Sequence, residues 1–296
     1  MKVLGIVASH RWLGNSEILV KEALMAAEEE GAEVEIMRWT NYQILPCEGL
    51  ATCLFGGTGC KLKDVDDHNY LLEKIYESDG VVFGAPCYFL ETTAVVKQFI
   101  DRLWVLNSQP SRARGKPAVI IIPYATRGRT HYAFLQPNIL FHRLGMPVID
   151  RALVHTQGIR EAIAHPEALE RVHGMGKALA TAIRTGDNTY RGEAGVCPVC
   201  HDRIIRIRKD SETVECGTCG MTGKLSIEGG KIKVRFPEEQ IDWVHSGGSA
   251  ADHAAYEIMP SKDYFRKLKP LLQEGVGRYR EYLHIEREPA KSGGRG

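Results

Sequence analysis

Short apolar runs alternate with amphipathic stretches along the first two-thirds of the chain. Residues 2–8 (KVLGIVA), 33–37, 81–83 (VVF), 117–123 (PAVIIIP) and 147–155 are apolar or β-branched and bounded by polar residues, Gly or Pro. They predict five strands. The run 81–83 lies between Asp79-Gly80 and Gly84-Ala85-Pro86, too short for a helix and without polar alternation. It predicts a strand buried on both faces at the centre of a parallel sheet. Between the strands, three sets of residues recur at helical spacing: Ile18, Leu19, Ala23, Leu24 and Ala27; Leu71, Leu72, Ile75 and Tyr76 within about 66–77; and Val95, Val96, Phe99, Ile100, Leu103 and Trp104 after Thr93. Further helices are predicted over about 132–144 and 166–184. Five strand–helix pairs make an α/β fold, a doubly wound parallel sheet of order 2-1-3-4-5.

In such a sheet, ligands bind at the carboxyl ends of the strands, which places three loops in view. The first, 9–16 (SHRWLGNS), runs from strand to helix start. Ser9, Asn15 and Ser16 supply hydroxyl and amide donors, Gly14 permits close backbone approach, Arg11 adds a charged donor, and a helix N-terminus favours an anion. This is a phosphate cradle; the plainer alternative is an ordinary N-cap at Asn15 or Ser16. The loop lacks G-x-G-x-x-G, and the second strand ends in Arg38-Trp39 rather than an acid that would hold an NAD ribose. A mononucleotide therefore fits better than a dinucleotide. The second loop, 86–90, offers Pro86, Tyr88 and Phe89 as a flat apolar surface with backbone N–H groups, suited to a planar ring such as a flavin. The third, Tyr124 to His131, is polar.

Composition narrows the partners. The 296 residues are 44% hydrophobic, with a formal net charge of +1, so charge alone points to neither nucleic acid nor membrane. No apolar run is long enough to span a bilayer, and the N-terminus reads as a strand rather than a signal peptide. The expected location is cytoplasmic. Eight cysteines in such a compartment point to metal or redox chemistry before disulfides.

Three motifs in order carry a resemblance over roughly residues 1–185: Ser9-x-Arg11 with Gly14-Asn15-Ser16, Gly84-Ala85-Pro86-x-Tyr88-Phe89, and Lys97-x-Phe99-Ile100-Asp101-Arg102. The chain resembles the flavodoxin-like NAD(P)H-dependent FMN reductases and their iron–sulfur flavoprotein branch. The resemblance implies FMN, with its phosphate at Ser9, Arg11, Asn15 and Ser16 and its ring along Pro86, Cys87, Tyr88 and Phe89. Thr126, Arg127 and Gly128 would close over the ring edge. Cys87 departs from the apolar residue expected there and reads as a buried, inert thiol.

A connection of roughly twenty-five residues, 40–64, is longer than compact domains usually carry without a purpose. It holds Cys47, Cys53 and Cys60. In the iron–sulfur branch this region carries four cysteines; here three match the first, third and fourth positions and Leu50 stands at the second. Clusters are held by sets of four. The three thiols therefore either shape a pocket or subunit contact, or hold an iron–sulfur cluster with one open iron position.

The stretch 186–195 is polar and glycine-rich and marks a boundary. Beyond it, Cys197-Pro-Val-Cys200 and Cys216-Gly-Thr-Cys219, fifteen residues apart, give four thiolates for one tetrahedral Zn2+. The expected second domain, 195–236, is a zinc ribbon with a hairpin through Gly229-Gly230. A redox-active C-x-x-C is the alternative. Arg203, Arg206 and Arg208 read as a solvated strand face. Residues 237–288 form a C-terminal segment, irregular over 242–248 and then helical, in which Tyr264, Phe265, Leu268, Leu271, Leu272, Val276, Tyr279 and Leu283 keep helical spacing with a break at Pro270. A stripe of this kind predicts a homo-oligomer, with Trp243 and His245 bordering a neighbouring flavin site. Residues 289–296 are expected to be disordered.

The expected function is an FMN-dependent oxidoreductase passing electrons from NAD(P)H to a small-molecule or protein acceptor. Electron transfer from ferredoxin through a cluster, and a non-enzymatic flavin module that recruits a partner by its ribbon, are the two alternatives.

Overall fold

The computed structural model describes residues 1–55, 59–107, 111–193, 195–245 and 259–280, with the side chains of 55, 242–245, 259, 277 and 278 outside that description. The chain divides into two compact units, 1–251 and 252–296. In the first, strands β1 (Lys2–Val7), β2 (Glu33–Arg38), β3 (Gly80–Gly84), β4 (Ala118–Tyr124) and β5 (Val148–His155) pair in parallel, in the order β2-β1-β3-β4-β5. This is the flavodoxin-like sheet that the hydrophobic pattern predicts. Strand order reverses between β1 and β3, so connections leave toward opposite faces there and open a crevice at the carboxyl edge.

Helices cover both faces. They are α1 (Asn15–Glu29), α2 (Thr52–Phe55), α3 (His68–Glu77), α4 (Ala94–Asp101), α5 (Leu135–Leu144) and α6 (Pro166–Thr185). Side chains alternate along each strand, so Val3, Val7, Val82, Val119 and Ile121 pack under α1 and α6. Leu4, Ile6, Phe83, Ile120 and Ile122 pack on the opposite side with α3, α4 and α5. On that second face Trp39 is fully buried, stacked on Phe99 at 4.3 Å and edge-on to Phe83 at 5.9 Å.

Two helices differ from their expected extents. α4 ends at Asp101 and passes into a 3-10 turn at Leu103–Asn107. The segment before α5 is a string of i→i+3 turns, Ala133 N–H to the Thr130 carbonyl and Leu135 N–H to the Tyr132 carbonyl, so α5 starts at Leu135 rather than 132. Pro137, which has no N–H, then falls in the first turn, where none is needed.

A second, antiparallel sheet contains β6 (Ile205–Ile207), β7 (Thr213–Cys216), β8 (Thr222–Glu228) and β9 (Lys231–Arg235) in sequential order. Gly229 and Gly230, with φ of 58° and 74°, make the two-residue hairpin turn that requires left-handed backbone at both positions. The stretch expected to be irregular is in part helical: α7 spans Glu238–His245. In the second unit, α8 (Met259–Arg280) runs through Pro270 without the expected break. Pro270 is exposed, so the carbonyl one turn earlier can turn to water. Leu283, residues 246–258 and the tail 289–296 lie outside the described residues, as do the side chains of Trp243 and His245.

α1 and α6 lie unusually close where Gly176 faces Ala23: a Cβ on Gly176 would sit 2.0 Å from the Ala23 carbonyl oxygen. Gly176→Ala should therefore cost about 1–3 kcal/mol through overpacking. Gly174, in the same helix, has nothing within 4 Å of a built Cβ. Gly174→Ala should be neutral or stabilise by up to about 1 kcal/mol. Urea unfolding of both variants checks the pair; equal midpoints would refute the close contact.

Candidate functional site

The first loop leaves β1 and returns as α1. Ala8 N–H bonds the Gly84 carbonyl at 2.8 Å, so the chain stays on the sheet until Ser9. Ser9 and Ser16 are buried, and the Ser9 hydroxyl accepts from Arg11 N–H at 3.3 Å. Arg11 extends to solvent. The Asn15 side chain is committed elsewhere: its amide donates to the Gly158 carbonyl at 2.8 Å and its oxygen accepts from Ala162 N–H at 3.1 Å. It ties the loop after β5 to α1, leaving the backbone N–H groups of the first helical turn as the donors at this end of the helix. Glu17 accepts from Leu13 N–H at 2.6 Å, from Lys21 at 2.8 Å and from Arg38. Burial raises the Glu17 pKa, but hydrogen bonds from Lys21, Leu13 and Arg38 outweigh it and hold the carboxyl below its ordinary range.

The second and third loops meet. Cys87 N–H bonds the Pro123 carbonyl at 2.9 Å, Tyr132 N–H bonds the Leu90 carbonyl at 3.0 Å, and the Cys87 thiol points to the Arg129 carbonyl at 3.6 Å. Burial pushes the Cys87 thiol up, which fits an inert role. Gln136 braces the same junction, contacting Thr92 at 3.1 Å and donating to Glu91 at 2.6 Å. Thr93 donates to the Ala8 carbonyl at 2.8 Å and so links the second loop to the first.

Tyr88 and Glu91 exchange backbone bonds at 2.6 and 3.1 Å around a turn whose central residues, Phe89 and Leu90, have φ of 47° and 78°. Such a turn ordinarily takes Asn-Gly, and a bulky residue at positive φ costs on the order of 1–3 kcal/mol. Phe89 at this turn stands wholly in solvent. Pro86 and Cys87 are half-buried, while Thr126, Arg127 and Gly128 are exposed on the neighbouring loop. At the end of β5, the buried Thr156 hydroxyl has no protein partner. Buried serines at a helix N-terminus, a flat apolar strip and an unpartnered hydroxyl on one edge fit a phosphorylated planar cofactor.

The cysteines form two different environments. In the small sheet Cys197–Cys219 and Cys200–Cys216 sulfurs lie 3.5 and 3.4 Å apart, and all four fall within 4.8 Å of one another. Tetrahedral coordination at a metal–sulfur distance of about 2.3 Å requires sulfurs about 3.8 Å apart, so the set fits one ion. Hydrogen bonds from the other three thiols favour the Cys216 thiolate, a negative centre that a dication would neutralise. Asp202 holds the first knuckle in shape, its backbone carbonyl accepting the N–H groups of Val196 and Cys197 at 2.9 and 3.0 Å.

Among the described residues no other such set gathers, and Cys47, Cys53 and Cys60 do not come together as ligands. Burial, with Cys60 and Cys47 nearby, pushes the Cys53 thiol up. The loop that carries them is closed at its base by a fully buried ion pair, Arg102 to Asp66 at 2.6 Å, with Arg102 also donating to the Leu45 carbonyl at 3.1 Å.

The family described as NADPH-dependent FMN reductase matches residues 1–159. The chain belongs to that family. An iron–sulfur flavoprotein of Archaeoglobus fulgidus is 31% identical over 193 residues, 65% of this chain and 84% of its own length. A flavone synthase of Aspergillus candidus is 29% identical over 185 residues, 55% of this chain and 57% of that protein. A solved flavone reductase superposes with a TM-score of 0.79 at 24% identity, covering 98% of this chain and all of the other. The matched span contains β1 to β5 and all three loops, so as an FMN reductase family member the chain is a flavin-dependent oxidoreductase. Among the described residues no helix is long and apolar enough to cross a membrane.

Sequence reasoning missed the roles of Glu17, Arg38, Asp66 and Gln136 in this FMN reductase fold, and named Arg102 only as part of the third motif. Except for the local Lys21 and Leu13 contacts of Glu17, their partners lie on other elements; the placement of Glu17 in the first turn of α1 and of Arg102 in the third motif were the hints. For the four-cysteine centre, metal analysis should find about one tightly held divalent ion per chain. Cys216→Ser should lose it while keeping bound flavin. Metal retention would move the ligand set elsewhere.

Proposed function

We propose that the protein is an FMN-dependent oxidoreductase that accepts hydride from NAD(P)H and reduces a flat, oxygen-bearing aromatic molecule of the flavone or quinone type. The observation that carries this reading is the junction of the three loops at the carboxyl edge. Ser9, Ser16 and the first N–H groups of α1 would hold the phosphate, with Arg11 as a charged arm. Pro86, Cys87, Tyr88 and Phe89 would line the ring, with Thr126, Arg127 and Gly128 beside its edge. Bound FMN supplies the two-electron relay, so the protein has to bind and orient rather than provide an acid or base. The net reaction consumes NAD(P)H, acceptor and one proton, and yields NAD(P)+ and the dihydro product.

The acceptor class is supported by exposed aromatic residues on the loops at the carboxyl edge, Trp12, Tyr88, Phe89 and Tyr132, each more than two-fifths exposed, and by the exposed cations Arg127 and Arg129 on the third loop. The name of the superposed flavone reductase agrees with a flavone acceptor, and the Aspergillus candidus relative, named a flavone synthase, shares the flavone class as its product. The match to the NADPH-dependent FMN reductase family supports a nicotinamide donor. The four-cysteine centre is read as structural zinc, since a closed thiolate set leaves no position for water or substrate.

Purified protein loaded with FMN should oxidise NADPH or NADH steadily only when a flavone or a quinone is added. Flavin reduced by ferredoxin but not by either nicotinamide would favour the electron-transfer alternative, and no turnover with any donor would favour a binding module. Arg11→Ala should weaken FMN by roughly ten- to a hundredfold, the value of a charge-assisted hydrogen bond; an unchanged affinity measured by flavin fluorescence would move the phosphate.

A homo-oligomer is also proposed, because Tyr264, Phe265, Leu271, Leu272, Val276 and Tyr279 of α8 are exposed. Light scattering at micromolar concentration should give a multiple of the chain mass. A deletion from residue 247 should reduce it; a monomer mass for the intact chain would refute the assembly.

A further inference from the structure

The phosphate loop is held from behind by one residue. Arg38 is the last residue of β2, beside β1, and its side chain is only 8% exposed. One guanidinium nitrogen, Nη1, donates to the Ser9 carbonyl at 2.9 Å and to the Arg11 carbonyl at 2.8 Å. The other, Nη2, donates to Glu17, the same carboxylate oxygen that accepts Leu13 N–H. The Trp12 ring lies 4.9 Å from the guanidinium carbon. Thr40 adds a second donor to the Ser9 carbonyl at 3.0 Å. Residues 9, 11, 12 and 13 are thus all fastened, directly or through Glu17, to one planar cation.

This arrangement answers an electrostatic problem. A backbone loop that binds a dianion must present N–H groups and turn its carbonyl oxygens away, since an oxygen aimed at phosphate repels it. Leu13, at φ 49°, holds a conformation that a leucine does not choose unaided. Arg38 collects two of the loop carbonyls, which are thereby committed to a cation rather than left free to face a phosphate, and Glu17 collects the Leu13 N–H. The Glu17 carboxylate offsets the Arg38 charge locally, so the pair orients the loop rather than attracting the anion.

We propose that Arg38 is a positioning residue for the flavin phosphate, acting through the Ser9 and Arg11 carbonyls and Glu17 and never touching the ligand. The proposal rests on the FMN reading above. Lysine keeps the charge but lacks the planar fork that serves three acceptors, so it replaces arginine only in part.

The test is titration of the full-length protein, stripped of flavin, with FMN and separately with riboflavin, which has the ring without the phosphate. Arg38→Met should weaken FMN about tenfold or more while changing riboflavin by less than about threefold, and Arg38→Lys should recover part of the loss. Equal losses for both flavins, or FMN affinity unchanged, would overturn the positioning role. If Arg38→Met fails to fold by circular dichroism, Glu17→Gln carries the test, with a smaller FMN-selective loss expected and an unchanged FMN-to-riboflavin ratio overturning it. Wild-type protein that binds riboflavin as tightly as FMN would remove the phosphate reading itself, and the positioning role with it.

Discussion

The seat of α1 on β3 is the constraint from which the rest of the molecule follows. A Cβ on Gly84 would lie 2.4 Å from a Val20 methyl and 3.1 Å from the Ser16 carbonyl oxygen, so only glycine lets the first turn of α1 rest directly on the end of the central strand. That contact places a helix N-terminus, with its unpaired N–H groups, at the point where strand order reverses. Gly176 performs the same service between α1 and α6, and the two close approaches fix α1 from both sides. Apolar burial supplies the driving force, but backbone-to-backbone fit decides where the N-terminal end of the helix points.

Around that fixed helix the polar groups act as braces. Arg38 with Glu17 organises the first loop, Gln136 with Thr92 and Glu91 joins the second to the third, and Arg102 with Asp66 closes the base of the cysteine loop. The last pair has both side chains fully buried. A buried pair gains little over a well-packed apolar one, yet leaving either member alone is costly, about 3–5 kcal/mol. Its effect is to hold Leu45 and Asp66 together, so the long excursion between them is anchored at both ends. Burial lowers the Arg102 pKa, but the Asp66 carboxylate and the nearby Cys60 outweigh it and hold the guanidinium above its ordinary value.

The strained turn at Phe89 and Leu90 is held by the same network, through Tyr132 N–H on the Leu90 carbonyl and the paired Tyr88 and Glu91 backbones. Strain of this kind persists only where surrounding bonds over-determine it. It spends folding free energy to present the Phe89 ring to solvent at the carboxyl edge of the sheet, an arrangement of no use to the core.

Periodicity and composition determined the five strands, their parallel order, the three carboxyl-end loops and the four-cysteine set, because each rests on local spacing: period two or 3.6 for elements, two residues between paired cysteines. Turn chemistry likewise determined the Gly229-Gly230 hairpin. Tertiary structure decided what spacing does not encode. Asn15 carries the expected donor, but its side chain is drawn to Gly158 and Ala162 by the position of the loop after β5. The helix over Glu238–His245 and the passage of α8 through Pro270 also went against local signals. Arg38 at the end of a strand and Arg102 after a helix look like ordinary surface cations in the sequence. Each is buried against partners tens of residues away, and the value of such a bond depends on geometry and desolvation that exist only once the sheet is assembled.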